Sequence, residues 1–243
     1  MNSETRDNIE IYVISCFFGY AYNTLFKAPR EKDHSFFFTN NSTLFPVIEG
    51  AGWTPVLLNM MTLTHDVLES SLQAKCVKFL QFMKLLPTSV MRVLYVDHKF
   101  ELQSTHLDHF KQLIEKHPDK SIFIRKTPSL KTNIWDEVEA CRPQPRYQAH
   151  LPQTITWIQE MLKRHSNLYH EQVRISNTGL ILYCLDRHPQ KIQHLVDTVY
   201  GDVIQLKQPE CQLFWAIRAQ PYTDIIHQME WEDVCIHWGQ YVM

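Results

Sequence analysis

From residue 11 onward, short apolar runs alternate with stretches whose apolar residues recur every three or four positions. That alternation limits the chain to an α/β architecture, a sheet covered by helices. The runs predict strands over 11–18, 35–39, 55–58, 92–96, 121–124 and 179–183. Between them, Leu68, Leu72, Cys76, Phe79, Leu80, Met83 and Leu86 mark one face of a helix over 66–86. Further helices are predicted over 107–116, 134–141, 151–162 and 192–199. The segment 126–152 holds Pro128, Pro143, Pro145 and Pro152. Rich in Trp and carboxylates rather than Ser and Gly, it reads as a loop region over an active site, not as a linker between domains. One domain over 1–243 is therefore expected.

Charge narrows the function classes. Lys+Arg 24 against Asp+Glu 26 gives a net charge of −2, too little for a general nucleic-acid binder. Six scattered cysteines without a C-x-x-C pair fit buried thiols in a reducing compartment. No apolar run reaches the ~20 residues of a membrane span, and the polar opening MNSETRDNIE has no signal-peptide core. A cytoplasmic location follows as an expectation.

Motifs exclude more. Gly50-Ala-Gly52 runs into Trp-Thr-Pro, so neither a dinucleotide fingerprint nor a P-loop is present, and no G-x-S-x-G elbow occurs. His106-x-x-His109 and Cys235-x-His237 lack the second pair that a structural zinc site needs. What remains is Asp97-His98-Lys99, placed just beyond the most central-looking strand. Open α/β sheets bind their ligands at the carboxyl ends of strands.

Tyr95-Val-Asp-His-Lys-Phe-Glu-Leu102 resembles the segment of GT-A-fold glycosyltransferases in which a strand runs into a D-x-D motif. In those enzymes the motif binds the diphosphate of a nucleotide sugar, usually through a divalent cation. Phe36-Phe-Phe-Thr-Asn-Asn41 with Gly52-Trp53 resembles the "FFTDN … GW" opening of a family that includes plant Golgi mannosyltransferase-like proteins. Ala74-Lys75, Leu86-Pro87, Glu137-Val-Glu139, Asn177-Thr-Gly179 and Glu210-Cys-Gln212 follow in that family's order. The Asn177-Thr-Gly179 strand is also similar to one in glycogenin-like transferases. The resemblance runs from about residue 11 to residue 226 and implies a GT-A-like, mixed but mostly parallel sheet flanked by helices.

It also implies a site. Asp97 and Lys99 would bracket the donor diphosphate, with Asn40 or Asn41 at the nucleotide and Lys75 and Lys78 in reach of phosphates. Asn177 and Gln212 would hydrogen-bond sugar or acceptor hydroxyls. Glu137, then Asp136 and Glu210, are candidates for the base that takes the acceptor's proton, and Trp135 for stacking on the acceptor ring. A strict D-x-D has a second acid where this chain has Lys99. Two readings stay open. Either Mn2+ or Mg2+ sits on Asp97, with His237 completing its site, or Lys99 takes the metal's place. The activity so implied is transfer of a hexose or pentose from a nucleoside diphosphate to a glycan or glycoprotein hydroxyl. The alternative is a non-catalytic GT-A-like module that binds glycan or a partner. Manganese-dependent phosphodiester cleavage through Asp97 and Glu101 lacks a third carboxylate at suitable spacing.

Overall fold

The structure, a computed structural model, describes residues 9–20, 26, 27, 34–86, 89–100, 102, 104–127 and 133–230. His237 and Glu101 lie outside the described residues. Among the described residues seven strands form one sheet: β1 Tyr12–Cys16, β2 Ser35–Thr39, β3 Thr54–Leu57, β4 Arg92–Val96, β5 Ile122–Lys126, β6 Ser176–Cys184 and β7 Ile226–Met229. Their order is β3-β2-β1-β4-β6-β5-β7. Every pairing is parallel except those of β6, which runs antiparallel to β4 on one side and β5 on the other. The sheet is therefore mixed and mostly parallel, as the alternation and the resemblance imply. β1 and β6 are buried at every residue, which is why β1 and the second half of β6, from Leu180 on, read as apolar runs.

Among the described residues eight α-helices accompany the sheet: α1 Phe45–Gly50, α2 Val67–Lys78, α3 Ser104–Lys116, α4 Ile134–Cys141, α5 Pro145–Gln148, α6 Leu151–Arg164, α7 Pro189–Leu206 and α8 Cys211–Arg218. On one face, Val77, Leu195, Val199 and Phe214 pack with Ile14, Tyr95 and Ile181. On the other, Ile48, Leu107, Phe110 and Ile114 pack with Val13, Leu94 and Leu182. A third apolar cluster joins Ile134 and Val138 of α4, Tyr147 of α5 and Ile158 of α6 to Leu213 and Ile217 of α8. Among the described residues no helix is long and apolar enough to cross a membrane.

Three local differences from the sequence expectations have physical causes. The helix predicted over 66–86 stops at Lys78, where Leu80 turns into the left-handed region at φ 57°. Its amide donates to the Val77 carbonyl and that of Gln81 to the Cys76 carbonyl, a Schellman closure. The apolar period carries on past it because Phe79, Leu80, Phe82 and Leu86 fill the same core without being helical. The 126–152 segment is mostly helical in its described residues, since Ile134, Val138, Cys141, Tyr147 and Leu151 give it an apolar side of its own. β7 and α1 are too short, and too mixed with polar residues, to stand out as runs.

Candidate active site

A cleft of about 1410 Å³ opens beyond the carboxyl ends of β1 and β4 and the start of β6, with α2 on one side and α4, α5 and α8 on the other. Because β6 is reversed, its first residues meet the last residues of β4: the Asp97 amide donates to the Gly179 carbonyl at 2.9 Å. Lys75, Lys78, Asp97, Lys99, Glu137, Asn177, Glu210 and Gln212 all line this cleft.

The α2 side carries the positive charge. Lys78, in the last turn of α2, is buried. Its Nζ lies 3.2 Å from Asp97 Oδ1 and 5.0 Å from the centre of the Tyr95 ring. The Tyr95 hydroxyl donates to the same carboxylate oxygen at 2.7 Å. Burial pulls the Lys78 ammonium down, but Asp97 beside it more than reverses this and holds it above its ordinary value. Burial likewise pushes the Asp97 carboxyl up, yet Lys78, then Lys99 and Lys75, hold it well below the usual carboxylate range. Asp97 is thus ionised, a quarter exposed and already paired. Lys99 sits in the turn closed by the Phe100 amide donating to the Asp97 carbonyl. His98 between them sets its ring edge-on to Phe17 and Phe26, and burial keeps it below the usual imidazole value. Cys16 at the floor is inert, its thiol pushed up to about 12 by burial and then by Asp97.

Across from α2 the lining carries two carboxylates, Glu137 and Glu210, together with Arg146, and Glu210 acts on Lys78 as well. Glu137 on α4 accepts from Gln212 Nε2 at 3.1 Å, and Glu210, the N-cap of α8, accepts from the Gln212 amide at 3.2 Å. Burial and then the Glu210 carboxylate push the ionisation of the Tyr147 hydroxyl up. Among the described residues, Glu137, Cys141 and Glu210 bring three metal-ligand-type atoms within 4.8 Å of one another. Asn177 turns its Oδ1 back onto the Gly179 amide at 2.9 Å, which leaves its NH2 end to the cleft.

Four predicted residues lie elsewhere. Asn40 Oδ1 accepts from the Gly19 amide at 2.8 Å, and its Nδ2 donates to the Thr62 carbonyl and Gln73 Oε1. Asn41 donates to the Gly19 carbonyl and caps the turn that follows, accepting from Thr43. Both amides therefore shape the loop after β1, where Gly19 takes φ 86°, rather than line the cleft. Asp136 accepts from the Asn133 amide in the capping box of α4, and Trp135 Nε1 donates to Glu171. Sequence reasoning missed the Tyr95 hydroxyl, Tyr147, Arg146 beside its ring, and the stacked Tyr20 and His65 at the rim, with centroids 3.8 Å apart. Nothing in the local sequence separates these from ordinary core and surface aromatics. Only Gly179, within the quoted Asn177-Thr-Gly179, left a signal.

A divalent cation fits Asp97 poorly. Bound to that carboxylate it would stand roughly 4 Å from the Lys78 ammonium, a repulsion on the order of 8 kcal/mol at an effective dielectric near 20.

A seven-stranded sheet in this order, with one reversed strand and a polar cleft at its carboxyl edge, has the GT-A-like fold. Mouse xyloside xylosyltransferase 1, in its apo form, is similar to 91% of this chain over 86% of its own, with TM-score 0.52 and 10% identity. CMP:2-keto-3-deoxy-manno-octonic acid synthetase complexed with CTP is similar over 91% of this chain and 90% of its own, with TM-score 0.42 and 8% identity. The first of these likenesses supports the fold. No family model matches the chain, and no curated protein matches it by sequence.

Proposed function

We propose that this protein is a glycosyltransferase that moves a hexose or pentose from a nucleoside diphosphate to a hydroxyl of a glycan or glycoprotein. One observation carries the reading: a single cleft opposes a lysine wall, Lys75, Lys78 and Lys99 around Asp97, to a carboxylate wall, Glu137 and Glu210 with Gln212. In the reaction the bond between the anomeric carbon and the diphosphate oxygen breaks, and its electron pair leaves on the diphosphate. Lysines stabilise that charge. The acceptor oxygen bonds the same carbon, and its proton passes to Glu137, whose carboxylate Gln212 orients. Asp136, engaged in its helix cap, falls behind Glu137 and Glu210 as the base. The Tyr20 and His65 rings at the rim offer the base of the nucleotide a stacking face. The closer resemblance to plant Golgi mannosyltransferase-like proteins rests on the motifs alone and does not choose the donor sugar.

The test is release of nucleoside diphosphate across a panel of mannosyl, glucosyl, galactosyl and xylosyl donors, with Glu137→Gln as comparison. Turnover by one donor is expected, slowed about 10²–10⁴-fold in Glu137→Gln, which keeps an acceptor for Gln212 but no base. Failure of every donor to turn over sinks the reading. The paired state of Asp97 favours one alternative, a module that binds nucleotide without transfer; tight nucleoside-diphosphate binding with no turnover selects it.

A further inference from the structure

We propose that Lys78 is a built-in counter-cation: its ammonium, paired with Asp97, takes the part of a divalent ion, and the cleft grips a nucleoside diphosphate by lysine without a metal. This rests on the nucleotide-sugar reading above and goes past it by removing the metal from donor binding.

Position carries the inference. Lys78 is buried at the end of α2, its backbone carbonyl held by the Tyr183 hydroxyl at 3.1 Å, so the ammonium is fixed before any ligand arrives. The only carboxylate within ion-pair distance of it among the described residues is Asp97, whose Oδ1 it shares with the Tyr95 hydroxyl. The rest of that carboxylate lies against Gly179, whose missing side chain makes the room: a Cβ there would fall 2.8 Å from Asp97 Oδ2. Lys75, three residues before Lys78 on α2, and Lys99 beyond β4 both line the cleft and both act on Asp97. Around Asp97 three ammoniums gather on one carboxylate, positive charge placed where a diphosphate could be met, while Glu210 also acts on Lys78 from across the cleft. A dication added there meets these ammoniums, and the second acid that would hold it is Lys99. The side chains whose donor atoms do converge, Glu137, Cys141 and Glu210, stand on the opposite wall.

Titration calorimetry tests this with UDP, GDP, CDP and ADP as probes, each in EDTA and again with excess manganese. The expected result is binding of at least one nucleotide in EDTA, with manganese changing its Kd by less than about threefold, under one kcal/mol. Lys78→Ala weakens that binding at least about 30-fold in EDTA, the loss of one charge-assisted hydrogen bond. If Lys78→Ala does not fold, Lys78→Met with Asp97→Leu removes the pair as a unit, and the expectation is lost binding in either condition. Wild-type binding that needs manganese overturns the proposal, as does either variant binding in EDTA like the wild type. If no nucleotide binds the wild type in either condition, the nucleotide-sugar reading itself falls and takes this inference with it.

Discussion

Asp97 and Lys78 hold each other in the charged state, and the pH dependence of stability follows from that. The Asp97 carboxyl lies below its ordinary value of 3.8 in the folded chain, so its contribution is complete well above that value and is lost as the pH falls. Lys78 lies above its ordinary 10.5, so its contribution is complete throughout the neutral and acid range. The stability difference between wild type and the Lys78→Met, Asp97→Leu pair should therefore shift against the wild type by about 1 kcal/mol between pH 6 and pH 3. Urea unfolding at the two pH values measures it, and no shift between them removes the coupling. Removing Asp97 alone leaves a buried ammonium and costs about 3–5 kcal/mol. Gly179 is the second residue to test. In Gly179→Ala the new carbon would meet Phe100 Cε2 at 2.7 Å and Asp97 Oδ2 at 2.8 Å, and Phe100 is buried and cannot retreat. A loss of about 1–3 kcal/mol in denaturant unfolding is expected, together with weaker nucleotide binding. At this scale the sequence was legible where charge follows a buried strand, as at Asp97 and Lys99. It was not legible at Asn40 and Asn41, because a strand-end amide looks the same whether it serves a ligand or, as here, the backbone of Gly19.

Elements were easier to read than their ends. β2 and β4 occupy the predicted 35–39 and 92–96, and α4 the predicted 134–141, because each run is bounded by residues that cannot extend it. Asn133 does so for α4, accepting from the Trp135 and Asp136 amides. α2 was read too long, since a buried Leu80 closes it where a glycine would have been conspicuous. α7 ends in the same way, with Lys207 at φ 50°, its amide donating to Ile204 and that of Gln208 to Val203. Lys207 is exposed, so its side chain gives up nothing by leaving. Lys207→Gly relieves the left-handed strain and should add about 1 kcal/mol, a rise in Tm of about 2–4 °C for a chain of this size. An unchanged or lowered melting temperature in calorimetry contradicts that account of the helix end. Such a substitution lies away from the cleft and leaves its lining intact.

At the scale of the molecule, a ligand seated across strand ends and helices is bound by the folded chain alone. A nucleoside diphosphate at 100 times its Kd therefore stabilises by about 2.7 kcal/mol, which raises Tm by about 5–10 °C. A thermal scan that shows no shift with any of the four nucleotides speaks against the cleft as their site. The sheet order could not be read from the apolar runs, which say where strands are but not which neighbours they choose. In that order β6 lies reversed between β4 and β5. That strand is the sole in-sheet link between β3-β2-β1-β4 and β5-β7, and its opening residues form the cleft floor beneath Asp97. To loosen the floor is to cut the sheet in two. Its amides, paired on both sides and buried, will then surrender their hydrogens to deuterium only when the whole protein comes apart. A bulky guest must therefore be met by the helices around the cleft, over a floor as firm as the fold itself.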